Sequence, residues 1–169
     1  MFVKLLARDL AIVGVAVFAW QLAAPLSAGS GAISDATGVL LGLLLGACAF
    51  LVHEWGHLLG ALATRSAVQP PASLRSPFVF TFDSRANSRR QFLAMSFTGF
   101  AATAAVVWAA FAVLPSELLA THVARGLIVF LTFLAAVLEV PLVVYSLISR
   151  RVPPIDGLES RKQGERAAA

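Results

Sequence analysis

Charged side chains are scarce in this sequence of 169 residues: Asp, Glu, Lys and Arg make up 13%, whereas hydrophobic residues make up 59%. Soluble domains carry about a quarter charged residues, so this balance excludes an ordinary soluble protein and favours a lipid environment. The single cysteine, Cys48, excludes an internal disulfide and a cysteine cluster for metal. The length leaves room for one integral membrane domain, 1–169, with a polar tail over 158–169.

The formal charge of +4 does not indicate a nucleic-acid partner. No module of interleaved aromatic and basic residues accompanies the arginines, as nucleic-acid binding would require. In a membrane protein the same arginines act as signals for topology.

Four apolar stretches are long enough to cross a bilayer, which takes about 20 residues. They cover 10–28, 39–63, 91–114 and 126–148. The first stretch also fits a cleavable signal peptide, because Lys4 and Arg8 precede it and it ends in Leu26-Ser27-Ala28. Its length and the position of Asp9 favour a retained span. The sequence therefore predicts an all-α membrane protein with about four transmembrane helices.

Lysines and arginines fall almost entirely on one side of these spans. They precede the first span, lie between the second and third, and follow the fourth: Lys4, Arg8, Arg65, Arg75, Arg85, Arg89, Arg90, Arg150, Arg151, Arg161, Lys162 and Arg166. The positive-inside rule then places both termini and the 65–90 loop in the cytoplasm. We expect a multi-pass protein of a prokaryotic cell membrane.

The cytoplasmic loop contains a segment, 76–82, in which phenylalanines alternate with other residues. This period of two predicts a short strand or hairpin with Phe78, Phe80 and Phe82 on one face. Such a strand could pair with an extended substrate by β-augmentation, which makes the three phenylalanines candidate substrate-binding residues. The alternative is a loop whose phenylalanines dip into the membrane interface.

His53 and His57 stand four residues apart, so a helix places both imidazoles on one face, where they can grip one ion. Glu54 is close enough to reach a water at the metal without binding the metal itself. This is the HExxH arrangement of zinc hydrolases. Three ionisable side chains within a transmembrane helix need a partner, which favours a metal site over hydrogen-bonded histidines that only pack helices. We predict Zn²⁺ at His53 and His57, with Glu54 as the catalytic residue.

Small residues recur on the same helix face as the histidines: Gly42, Gly46, Ala49, Gly60 and Thr64. Small residues let neighbouring backbones approach closely in a membrane. The histidines are therefore expected to point into the helix bundle and away from lipid.

Zinc needs at least a third protein ligand, and two carboxylates are candidates. Glu139 lies about 16 Å from the cytoplasmic end of its span, and His57 and His53 about 12 and 18 Å from the end of theirs, so depth slightly favours Glu139. Asp156 would have to fold back toward the metal, which Pro153 and Pro154 permit. Glu139 has two further interpretations, as a partner of a zinc histidine or as a protonated acid bonded to a neighbouring helix.

Residues 52–61, Val-His-Glu-Trp-Gly-His-Leu-Leu-Gly-Ala, resemble the metal-binding helix of the site-2 protease family of intramembrane zinc metalloproteases. The family's later motif, a proline-rich turn followed by Asp-Gly, is similar to 153–157. The aspartate of that motif is a zinc ligand in the family, so the resemblance implies this role for Asp156 and favours it over Glu139. The resemblance covers 39–157.

A third stretch, 96–103, resembles the family's Gly-Pro-x-x-Asn segment. Phe100 replaces the proline, and Thr103 stands where the asparagine is expected. Thr103 is therefore a candidate substrate-binding residue, although the missing asparagine puts the family's substrate or oxyanion role at this position in doubt.

The resemblance implies an endopeptidase that hydrolyses peptide bonds in transmembrane segments of other proteins of the lipid bilayer. The alternative is a non-catalytic, metal-binding membrane regulator or scaffold derived from the same fold. A transporter is less favoured, because the chain shows no inverted repeat. Zinc-dependent cleavage that requires Glu54 distinguishes the first function from the others.

Overall fold

A computed structural model describes residues 1–154 of the chain. Four helices follow in order, α1 (Phe2–Ala23), α2 (Ala32–Ala63), α3 (Arg89–Ala112) and α4 (Leu119–Ser149), with a 3-10 turn at Ala24–Ala28 and two short strands, β1 (Val68–Gln69) and β2 (Thr81–Phe82). The strands pair antiparallel between α2 and α3. The predicted helical protein with a small hairpin between its second and third helices is confirmed.

Three helices, α2, α3 and α4, are long and apolar enough to cross a membrane. They contain most of the predicted spans 39–63, 91–114 and 126–148. The predicted first span, 10–28, has different bounds, because α1 begins at Phe2 and ends at Ala23. Pro25 opens the 3-10 turn after α1, where it cannot donate the next helical hydrogen bond. A fourth crossing by α1 stays a prediction.

Glycines recur every fourth residue on the face of α2 that contacts α4. A Cβ at each would meet an α4 side chain, with Gly38 facing Leu119, Gly42 facing Val123 and Gly46 facing Leu127. The two helices therefore run parallel and in register. The glycines let their backbones approach closely, as small residues do between helices in a membrane. Continued along both helices, this register brings the turn of α4 that carries Glu139 beside the turn of α2 that carries His57.

Helix α3 packs antiparallel on the C-terminal half of α2. A Cβ at Gly60 would meet Thr98, and a Cβ at Gly56 would meet Ala102. The start of α3 is tied to the end of α2 by Gln91, whose side-chain amide donates to the carbonyls at 64 and 65. The small-residue face predicted for α2 thus serves both neighbouring helices.

The loop between α2 and α3 differs from the prediction for 76–82. Strand β2 covers only Thr81–Phe82, since Pro77 has no N–H to donate and the N–H of Val79 donates to Glu54 instead of a strand. The phenylalanines do not share one face: Phe82 is buried in the core, whereas Phe78 is exposed and packs edge-on against Phe50. The predicted three-phenylalanine face is wrong.

Candidate metal centre

His53 and His57 lie one turn apart on α2, and both are buried. Their Nε2 atoms are 3.1 Å apart. Glu139 of α4 reaches both rings, with Oε1 at 3.0 Å from His53 Nε2 and Oε2 at 3.2 Å from His57 Nε2. One ligand atom from each of these three residues lies within 4.8 Å of the others. Two helices that are apolar enough to cross a membrane thus bring two imidazoles and a carboxylate to one point.

The other ring nitrogens of the histidines have partners that fix which nitrogen carries the proton. His57 Nδ1 lies 3.0 Å from the carbonyl oxygen of Met95, which can only accept, so Nδ1–H donates. His53 Nδ1 lies 2.7 Å from Thr103 Oγ1, and the threonine hydroxyl itself donates to the carbonyl of Gly99. Thr103 therefore accepts from His53. In the neutral imidazoles each Nδ1 then carries the proton, and both Nε2 lone pairs are available to a metal ion.

This arrangement fits a divalent cation. Two Nε2 lone pairs and a carboxylate converge, and Glu139 Oε2 is buried without a hydrogen bond, although it lies within ion-pair distance of His57. A single proton can bridge only one of the contacts between His53, His57 and Glu139, whereas one metal ion can bind all three side chains. Tetrahedral Zn²⁺ at about 2.0–2.1 Å from each ligand separates the ligand atoms by about 3.3 Å. The 3.1 Å between the two Nε2 atoms, and the 3.0 and 3.2 Å from each of them to one oxygen of Glu139, are close to this value.

Helix α3 supplies the support behind the histidines. Gly99 lies against the His57 ring, and a Cβ at this position would overlap it. Thr103, one turn further along α3, holds His53. The segment 96–103, identified in the sequence by its resemblance to a family motif, thus lies at the site. Its threonine contacts a candidate ligand and also lines the cavity beside the site, and its role in substrate binding stays a prediction.

Glu54 is buried next to the triad and lies outside it. Its Oε2 accepts a hydrogen bond from the backbone N–H of Val79 at 3.4 Å. The loop between α2 and α3 therefore folds over the glutamate. Glu54 thus lies beside the three candidate ligands without being one of them, and its role as a proton carrier stays a prediction.

Helix α1 anchors that loop through an ion pair that we did not predict from the sequence. Arg8 bonds Asp9 at 2.6 Å and donates to the carbonyls of Leu74 and Ser76. The other carboxylate oxygen of Asp9 accepts from the indole N–H of Trp55 at 2.8 Å. Asp9, which lies just before the predicted first span, is buried and joins α1, α2 and the loop. An acid next to an arginine at the start of an apolar run was the available signal.

The other candidate residues lie in different places. Phe78 faces the site and Phe80 is half-buried at the core that contains Phe82. Asp156, the ligand implied by the resemblance, lies outside the described residues. Among residues 1–154, Glu139 is the carboxylate that reaches both histidines.

No family model, curated protein or solved structure matches this chain, so the resemblance to the site-2 protease family stays a prediction carried by the motifs themselves.

Proposed function

We propose that this protein is an intramembrane zinc endopeptidase of the site-2 protease type. The proposal rests on one observation. The Nε2 atoms of His53 and His57 lie 3.1 Å apart, and each lies within 3.2 Å of an oxygen of Glu139, on helices apolar enough to span a membrane. In this proposal His53, His57 and Glu139 hold the ion. Two carboxylates, Glu139 and Glu54, in a low-dielectric site also call for a compensating divalent charge.

When bound, zinc supplies Lewis acidity that polarises a scissile carbonyl and makes a water molecule acidic enough to attack it near neutral pH. Glu54 accepts a proton from the attacking water as the new C–O bond forms. As the C–N bond breaks, the same carboxyl group donates that proton to the leaving nitrogen. Thr103 and the Met95 carbonyl meanwhile hold the two imidazoles in the ligating tautomer. The net reaction is hydrolysis of one peptide bond.

The substrates in this proposal are transmembrane segments of other membrane proteins. A helix hides its carbonyls in internal hydrogen bonds, so such a segment must unwind locally before its carbonyl can reach the site. In this proposal both termini and the α2–α3 loop face the cytoplasm of a prokaryotic cell. The basic residues near the ends of α2 and α4 support this orientation. Water then enters from that side, where the HExxH turn is nearest to the surface.

The test is cleavage of single-span test segments by the purified, zinc-loaded protein. We expect wild-type protein to cut at least one segment and Glu54→Gln to cut none, with equal zinc content in both. Glu117→Gln is the matched control, because Glu117 is an exposed acid in the loop on the other side of the membrane. Equal cleavage by wild type and Glu54→Gln would end the proposal.

The alternative function, a metal-binding regulator or scaffold without turnover, predicts a different result. Zinc would bind at one ion per chain, and no segment would be cut by the wild-type protein. The placement of Glu54 beside the triad favours the enzyme, since a scaffold has no use for a second buried carboxylate there.

A further inference from the structure

A cavity of about 150 Å³ opens directly beside the candidate metal centre. His53, Glu54 and Glu139 line one end of it. The rest of its wall is mostly apolar and comes from α2, α3, α4 and the α2–α3 loop. The α4 residues among them lie on one face and include Ile128, Leu131 and Leu138. From Ile128 to Glu139 this face is about 16 Å long. The cavity therefore runs from these candidate groups along an apolar face of α4, and part of it is open at the surface, where Phe78 and Leu138 are exposed.

The size and the chemistry of this cavity fit one large apolar side chain. A dry, apolar cavity of about this volume can hold a molecule the size of benzene. Binding sites typically combine apolar walls with a few convergent polar groups, and here all the titratable groups lie at one end. A peptide bond held at that end would direct a neighbouring side chain along the apolar wall.

Two phenylalanines form the side of the cavity nearest to the loop. Phe50 of α2 and Phe78 of the loop meet edge-on, with ring centroids 6.4 Å apart. Phe78 follows the two carbonyls that Arg8 holds, at 74 and 76. The position of this aromatic wall is thus set by α1, outside the metal centre itself. The small residue Ala49 of α2 also lines the cavity, where a longer side chain would take up space.

We propose that this cavity is the subsite for the substrate side chain next to the cleaved bond, and that it selects a large apolar residue such as leucine or phenylalanine. Ala49 and Phe78 set its size. This inference rests on the proposed protease function and adds to it a rule for the cleavage position. One buried methylene changes enzyme selectivity by about 10- to 200-fold, so the difference between alanine and leucine should be readily measured.

The test uses a segment that the full-length, zinc-loaded protein cuts, with Ala, Leu, Phe or Trp placed next to the cleaved bond. We expect wild-type protein to prefer Leu and Phe over Ala by at least about 10-fold in kcat/KM. Ala49→Leu fills the cavity and should reverse this preference toward Ala. Ala47→Leu, which adds the same side chain to an exposed position on α2, is the matched control and should keep the wild-type preference.

Phe78→Ala provides a second, independent arm, because it enlarges the cavity from an exposed loop position. It should raise cleavage of the Trp segment relative to the Leu segment. Zinc content is measured for every variant, and if Ala49→Leu loses zinc the Phe78→Ala result decides. An unchanged order of preference in zinc-loaded Ala49→Leu and Phe78→Ala would overturn the subsite and leave the protease standing. No cleavage of any segment by zinc-loaded wild type would overturn both proposals.

Discussion

A substitution at Thr103 should change the affinity for zinc without replacing any of the candidate ligands. The Thr103 hydroxyl accepts from His53 Nδ1 at 2.7 Å and so keeps the Nε2 lone pair directed at the metal position. Thr103→Val keeps the shape of the side chain and removes this bond. Loss of such a partner typically weakens metal binding by about 10- to 100-fold. This corresponds to about 1.4–2.8 kcal/mol, more than the roughly 1 kcal/mol of an average neutral hydrogen bond, because the ring is also free to turn.

The assay is competition for zinc between the purified protein and a chelator of known affinity. We expect the zinc dissociation constant of Thr103→Val to rise about 10- to 100-fold, and Thr103→Ser, which retains the hydroxyl, to bind within about threefold of wild type. Thr37→Val is the control, since the Thr37 hydroxyl bonds only the carbonyl of Ile33 on the exposed side of α2. Wild-type affinity in Thr103→Val would refute the tautomer argument.

Two further predictions concern the surroundings of the site. Arg8→Gln removes the charged donor that holds the loop carbonyls at 74 and 76, so amide hydrogen exchange over 74–79 should become at least about 10-fold faster. Lys4→Gln, at an exposed position, should leave the exchange rates unchanged. Equal rates in both variants would contradict the anchoring role of Arg8. Gly99→Ala places a Cβ in the space of the His57 ring, so cleavage by the zinc-loaded protein should fall by about 100-fold or more. Wild-type cleavage rates in Gly99→Ala would show that the ring has room to spare.

Much of the bundle could be predicted from the sequence, because its main signals are local. The four-residue spacing of His53 and His57 fixes their common face on any helix, and the glycines on the same helix predict close neighbours. Depth alone brought Glu139 level with the histidines, since α2 and α4 run parallel between the same two surfaces. The helices that carry these residues lie where the apolar stretches predicted them.

The contacts of the loop and of α1 could not be predicted, because they join residues that are far apart in the sequence. The alternation of Phe78, Phe80 and Phe82 looks like a strand, yet the N–H of Val79 is used by Glu54, a residue 25 positions away. Asp9 likewise gains its role only through Trp55. A pattern of neighbouring residues cannot indicate either of these two contacts, because each joins residues far apart in the sequence.

The choice of third ligand depended on which argument was given more weight. Depth within the membrane favoured Glu139, whereas the resemblance to a family motif favoured Asp156. The structure brings Glu139 to both histidines, and Asp156 lies outside the described residues. The role implied for Asp156 therefore stays a prediction, and the proposed zinc site depends on Glu139.

Zinc affinity of Glu139→Gln tests the account most directly. Glutamine keeps the size of the side chain and removes the negative charge that faces both Nε2 atoms. Measured by chelator competition and elemental analysis, wild-type protein should hold one zinc per chain, and Glu139→Gln should bind at least about 10-fold more weakly. Wild-type affinity in Glu139→Gln, together with loss of zinc in Asp156→Asn measured beside it, would place the third ligand at Asp156 and contradict the account.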